Sequence, residues 1–141
     1  MFDQLSELYP IKLNNKLANN VINLDQSQFE QVLVNLLKNA DEADPDNLTR
    51  VNIYEVSSNT ASQHHLKIDI IDDGAGMSDE VIQHALLPFY STKHSGTGLG
   101  LALCKDIIEA HQGQLLFNNL SPNGFCISSD FTYLIKHSSL F

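Results

Sequence analysis

Gly96-Thr97-Gly98-Leu99-Gly100-Leu101 sets three glycines two apart, directly ahead of an apolar stripe formed by Leu99, Ala102, Leu103 and Ile107 and widened by Ile108 and Ala110. Glycine admits positive φ and lets a ligand come close to the backbone. The first turn of a helix offers unpaired N–H groups at its positive dipole end. Together these make a seat for phosphate, although the glycines alone also fit a tight loop before a helix. The spacing excludes two common phosphate loops. There is no Gly-x-x-x-x-Gly-Lys-Ser/Thr. Gly96, Gly98 and Gly100 do not fit Gly-x-Gly-x-x-Gly, and no strand pattern leads into them, which argues against a dinucleotide-binding turn.

A second glycine pair, Gly74 and Gly76, follows two carboxylates. Leu66, Ile68 and Ile70 alternate with Lys67 and Asp69, the pattern of a half-buried strand. Continued, the alternation puts Asp72 on the apolar face and Asp73 on the other. A buried carboxylate is costly unless something hydrogen-bonds it. Asp72 therefore reads as an acceptor for a ligand donor, with Gly74 and Gly76 turning the chain and leaving room for a flat ligand. Asp72 as a cap for the following helix is the competing reading, and Ser78 suits that task better.

Asn35 and Asn39 supply a third polar feature, one helical turn apart. Phe29, Val32, Leu33, Leu36, Leu37 and Ala40 recur at three- and four-residue intervals, so they lie on an amphipathic helix. The two asparagines fall on one edge of its apolar stripe. Asp25 or Ser27 can cap its start, with Glu30 completing a capping box for Ser27, and Pro45 lies just past its end. Lys38 and Glu42, four apart, read as an exposed ion pair.

In this order the motifs resemble the catalytic and ATP-binding domain of two-component sensor histidine kinases. The matching pieces are the N-box (Asn35-Leu-Leu-Lys-Asn39-Ala), the first glycine box (Asp72-Asp-Gly-Ala-Gly76), the F-box region (Leu87-Pro-Phe89-Tyr-Ser-Thr-Lys93) and the second glycine box (Gly96-Thr-Gly-Leu-Gly100-Leu). The resemblance implies that the cofactors are ATP and Mg2+. It implies that Asp72, with Gly74 and Gly76 beside it, bonds the adenine amino group, and that Asn39 is the magnesium ligand. It makes Gly96, Thr97, Gly98, Leu99 and Gly100 a lid over the phosphates, with Lys93 neutralising charge and Phe89 anchoring the lid. A carboxylate is acceptor-only when ionised, which suits adenine and opposes guanine. Magnesium takes one or two protein oxygens and completes its shell with water and phosphates.

In the related gyrase, mismatch-repair and chaperone ATPases, a glutamate four residues before the magnesium asparagine activates water. Here that position is Asn35, and an amide is no general base at neutral pH. The implied site holds ATP for transfer, so Asn35 and Asn39 are the expected catalytic pair and slow hydrolysis is expected. The phosphoacceptor hairpin of such kinases is not seen. None of His64, His65, His84, His94, His111 and His137 is followed by Asp or Glu or precedes the N-box. The chain reads as the catalytic piece of a longer kinase, or as a short protein acting in trans. Its expected partners are ATP, a histidine-containing dimerisation domain and a response regulator. The six residues between Phe89 and Gly96 make a short lid, similar to the nitrogen-regulation-like kinases. Glu42 stands where many members have a basic residue, and is expected to face solvent. A serine-type kinase of the same fold, or a degenerate nucleotide-binding or interaction module, is the alternative.

Composition sets the frame for these elements. At 141 residues the chain is long enough for one core, and 43% hydrophobic content is ordinary for a globular protein. No apolar run approaches the roughly 20 residues that span a bilayer, and no signal peptide is visible. The expectation is a cytoplasmic domain without membrane contact, leaving open a parent anchored in the inner membrane. A net charge of −9, with only 8 Lys plus Arg, argues against a nucleic-acid partner. It requires local neutralisation of ATP, by magnesium, Lys93 or Lys105. Cys104 and Cys126 read as small core residues. Patterning predicts strands at 11–17, 49–56, 65–72, 114–120 and 124–134, and helices at 26–43, 78–86 and 99–111. Asn123-Gly124 marks a hairpin. The class expected is α+β, a mixed and mostly antiparallel sheet with helices packed on one face, which the resemblance makes a Bergerat-type α/β sandwich. Residues 1–20 are expected to be a linker remnant and first strand, and 20–141 the ATP-binding catalytic domain.

Overall fold

The computed structural model describes residues 4, 5, 7, 9–16, 24–57, 63–87 and 100–134. Their elements, in chain order, are β1 (Ile11–Asn15), α1 (Gln26–Ala43), β2 (Thr49–Ser57), β3 (Gln63–Asp72), α2 (Asp79–His84), α3 (Gly100–Ala110), β4 (Gly113–Asn119) and β5 (Phe125–Leu134). The five strands form one sheet in the order β1-β2-β3-β5-β4. Only β1 and β2 are parallel; the other neighbours are antiparallel. The mixed, mostly antiparallel sheet expected from the sequence is the one observed.

The alternation in β3 decides which face is covered. Leu66, Ile68 and Ile70 are buried, and so are the residues across from them on β5, namely Phe131, Ser129 and Ile127. Val51 and Ile53 extend that row onto β2. α1 lays Phe29, Val32, Leu33, Leu36, Leu37 and Ala40 onto this face, and α3 adds Cys104, Ile107 and Ile108. Phe29 meets Phe131 edge to face, with centroids 6.0 Å apart. Leu5 joins the same core at 1% exposure, so part of the 1–20 stretch packs with the domain rather than merely leading to it.

The face that α1 and α3 leave open among the described residues carries polar pairs. Asp69 accepts from the Tyr54 hydroxyl at 2.8 Å and from Ser128 Oγ at 2.5 Å, and His65 Nδ1 lies 3.0 Å from Asp130 Oδ1. Burial, and then the bond to Asp69, pushes the Tyr54 hydroxyl up to about 12. Cys126 is buried on this face beside Ser128, not in the core as its composition predicts, because it sits one residue out of phase with Ile127. Burial raises its thiol as well. His64 and His65 lie inside β3, whose pairing with β5 begins at Gln63.

Caps explain the helix ends. Asp25, rather than Ser27, caps α1 by accepting from the Gln28 N–H at 3.0 Å. α3 stops where Gln112 takes φ 62°, and β4 starts at once with Gly113, where a Cβ would lie 2.8 Å from the Phe131 ring. No helix among the described residues is long and apolar enough to cross a membrane.

Candidate functional site

The last residue of β3 follows the strand's alternation onto the covered face. Asp72 is 6% exposed, and its Oδ1 accepts from the Gly74 N–H at 2.8 Å. Asp73 faces outward and pairs with Arg50 at 2.9 Å. Its backbone N–H donates to Asp44 Oδ2 at 3.2 Å, which laces the end of β3 to the end of α1. A carboxylate buried to this degree needs hydrogen-bond donors around it. The tight turn supplies one from its own backbone.

The glycines that follow are required by the chain's own packing. A Cβ on Gly74 would lie 2.7 Å from the Ala43 carbonyl oxygen and 2.9 Å from Asp72 Oδ1. Gly76 has φ +79°, and a Cβ there would collide with the Asn119 carboxamide. In the directions of these two absent side chains the neighbours are Ala43 and Asn119.

Two residues to which the sequence assigns no part in the site hold this loop. Asn119, at the end of β4, accepts from the Met77 N–H at 3.0 Å and donates to the Met77 carbonyl at 2.7 Å. Asn123 Nδ2 donates to the Asp73 carbonyl at 2.8 Å. The Asn123-Gly124 signal is legible only as a turn; nothing in the sequence says that the turn grips a loop some fifty residues earlier. Ser78 caps α2, accepting from the Val81 N–H at 3.2 Å, as expected.

Asn35 and Asn39 sit part-buried on α1, beside fully buried Leu36 and Leu37. From α1, Asn35 abuts the start of α3: its Oδ1 would be 3.7 Å from a Cβ on Gly100, and its side chain hydrogen-bonds Cys104. That thiol is fully buried, approaches the Val32 carbonyl at 3.8 Å and is pushed up to about 12 by desolvation. Along α1, then, Gly100 stands by Asn35, Asn39 comes one turn later, and Gly74 meets Ala43. Eight residues of helix make that about 12 Å. Glu42 is exposed and pairs with Lys38 at 4.0 Å. Lys105 pairs with Glu109 at 3.5 Å on α3. Phe89, Lys93, Gly96, Thr97, Gly98 and Leu99, and with them the short-lid reading, fall outside the described residues, as do His94 and His137.

Comparison with known proteins adds four matches. Residues 24–134 match the family model described as histidine kinase-, DNA gyrase B- and HSP90-like ATPase. Sporulation kinase E of Bacillus subtilis (strain 168) is 39% identical over 71% of this chain, which corresponds to 13% of that protein. Among solved structures, the catalytic domain of the histidine kinase ThkA superposes with a TM-score of 0.70 at 26% identity, covering 92% of this chain and 84% of that one. Full-length ShkA in complex with AMPPNP, at 17% identity, shares the fold with a TM-score of 0.72 over 97% of this chain and 30% of its own. The chain spans less than a quarter of the length of the curated relatives it matches.

Proposed function

The chain belongs to the histidine kinase-, DNA gyrase B- and HSP90-like ATPases, as a sensor histidine kinase catalytic and ATP-binding domain, and from that premise we propose that it binds Mg-ATP and passes the γ-phosphate to a histidine on a separate dimerisation domain. A response regulator then takes the signal onward. Residues 20–141 act as the catalytic domain, on the cytoplasmic side where ATP is available.

The observation that carries this reading is Asp72: a carboxylate 6% exposed at the open end of β3, turned toward the face that the helices cover. Ionised, it accepts only, so it selects a purine with an amino donor over one with a carbonyl oxygen at that place. Asn39 offers a neutral oxygen to magnesium, which needs few protein ligands. Asn35 has no basic atom with which to draw a proton from water, and so leaves the nucleotide intact until an acceptor arrives. Lys93, Gly96, Thr97, Gly98, Leu99 and Gly100 are assigned to the phosphate lid. Bound Mg-ATP supplies the transferable phosphoryl group and the cation that neutralises it; the chain supplies position and charge balance.

The test is calorimetry with Mg-ADP and Mg-GDP on the chain and on Asp72→Asn. The chain should bind the adenine nucleotide selectively, and the variant should lose at least about tenfold in affinity. Equal binding of both nucleotides, or an unaffected variant, overturns the role of Asp72.

A further inference from the structure

We infer that Asn119 is a positioning residue for the nucleotide pocket: its carboxamide pairs with both backbone groups of Met77 and thereby fixes the 73–77 loop that leads away from Asp72. The inference rests on the reading of Asp72 given above and extends it to a residue on a different element.

The loop has little to hold it by itself. It contains two glycines, whose conformational freedom is the largest to be lost on ordering. Met77 is the last loop residue before Ser78 caps α2, and its N–H and C=O both need partners. A primary amide carries one acceptor and two donors, so a single asparagine can meet the N–H and the C=O of one residue together. Asn119 does so, at 3.0 and 2.7 Å. Gly76 makes this approach feasible, because any Cβ there would occupy the position of the Asn119 carboxamide.

Sheet register shows what the clamp is referred to. Asn119 lies opposite Phe125, and Phe125 lies opposite Asp72. The loop therefore departs from one row of the sheet at Asp72 and is caught again by the same row at Asn119. Asn123 holds the near end through the Asp73 carbonyl at 2.8 Å. Gly124, at φ +114°, lets the hairpin lie against the Asp72 carbonyl, where a Cβ would be 2.7 Å away. Asn119 is itself exposed and outside the core. Removing its carboxamide deletes no core packing, so the loss falls on the loop.

The experiment compares the chain with Asn119→Ala and Asn119→Asp, and uses Asp72→Asn as a control. Four quantities are read: Mg-ADP affinity, the ADP-to-GDP ratio, hydrogen exchange at the Met77 amide, and the urea midpoint. Asn119→Ala should weaken Mg-ADP binding about tenfold and abolish protection at Met77, with the urea midpoint nearly unchanged. Asn119→Asp should lose as much at about pH 7.5, because a carboxylate faces the Met77 carbonyl without a proton to donate. Protonation restores an O–H donor, so its gap from the unmodified chain at the same pH should narrow only as the pH falls to about 4, the ordinary carboxyl range. A purely structural role would not produce that recovery.

Unchanged binding and protection in Asn119→Ala, with Asp72→Asn still impaired, overturns the inference and leaves the pocket reading standing. A fall in urea midpoint that accounts for the lost affinity, without recovery of Asn119→Asp on acidification, also overturns it. If the chain binds no adenine nucleotide, or Asp72→Asn binds as the chain does, the pocket reading fails and the inference fails with it.

Discussion

Gly74 stands against the last residue of α1, so close that a Cβ would lie 2.7 Å from the Ala43 carbonyl oxygen and 2.9 Å from Asp72 Oδ1. Neither neighbour yields easily. The carbonyl belongs to a helix whose six buried side chains anchor it in the core, and Asp72 is held by the Gly74 N–H. Gly74→Ala should therefore push the loop off α1 and turn the Asp72 carboxylate. Overpacking of this kind costs about 1–3 kcal/mol. Urea unfolding measures it, and Mg-ADP affinity should fall in the same variant. A loss within experimental error would mean that the loop swings aside freely and does not fix Asp72.

Asn39→Ala separates the metal from the nucleotide. A neutral amide oxygen contributes to a magnesium shell but little to a phosphate. The variant should bind ADP in EDTA as the unmodified chain does, and should lose about tenfold when magnesium is present. Titration under the two conditions decides it. Equal losses in both would move Asn39 out of the metal site and make it a direct nucleotide contact.

Asn35→Glu tests why the domain should hold ATP rather than hydrolyse it. A positioned general base contributes typically about 10²–10⁴ in rate, and the amide at this position has none. Steady-state phosphate release should rise at least about tenfold in the variant. Asn35 also bonds Cys104, so the urea midpoint must be followed in parallel. Turnover already comparable in the unmodified chain would show that water is activated elsewhere.

Periodicity made the scaffold legible. The bounds of α1 coincide with its apolar stripe, and the alternation from Leu66 to Ile70 puts Asp72 on the covered face, where it is found. Cys126 shows the limit of composition: a small apolar residue is drawn to either face, and only its phase against Ile127 sends it away from the core. Gly74 and Gly76 carry a related ambiguity. A glycine in sequence reports that a Cβ is unwelcome, and whether a ligand or the chain itself fills the space depends on tertiary neighbours, here Ala43 and Asn119. The clamp by Asn119 and Asn123 joins positions 42 and 50 residues, respectively, from their targets. No local pattern encodes such contacts, and they follow only from the pairing of β4 with β5 and β5 with β3.

Cys104 ties stability to alkaline pH through a group that touches Asn35. Its thiol is raised from 9.0 to about 12, first by desolvation, with the Asn35 bond acting in the opposite direction. Below about pH 9 the thiol is protonated in both folded and unfolded chains, and its contribution is fully present. Above that pH the unfolded chain sheds the proton while the folded chain keeps it. The unfolded state then binds fewer protons, so stability falls as pH rises, by at most about 1.4 kcal/mol per pH unit, until the folded thiol ionises near 12. Tyr54 and Cys126, both raised, add losses of the same sign. Urea unfolding between about pH 8 and about pH 11 should show the decline, and Cys104→Ala should flatten it while lowering stability at neutral pH through the space left behind. An identical slope in that variant would assign the whole dependence to Tyr54 and Cys126, and would place the Cys104 thiol in contact with solvent.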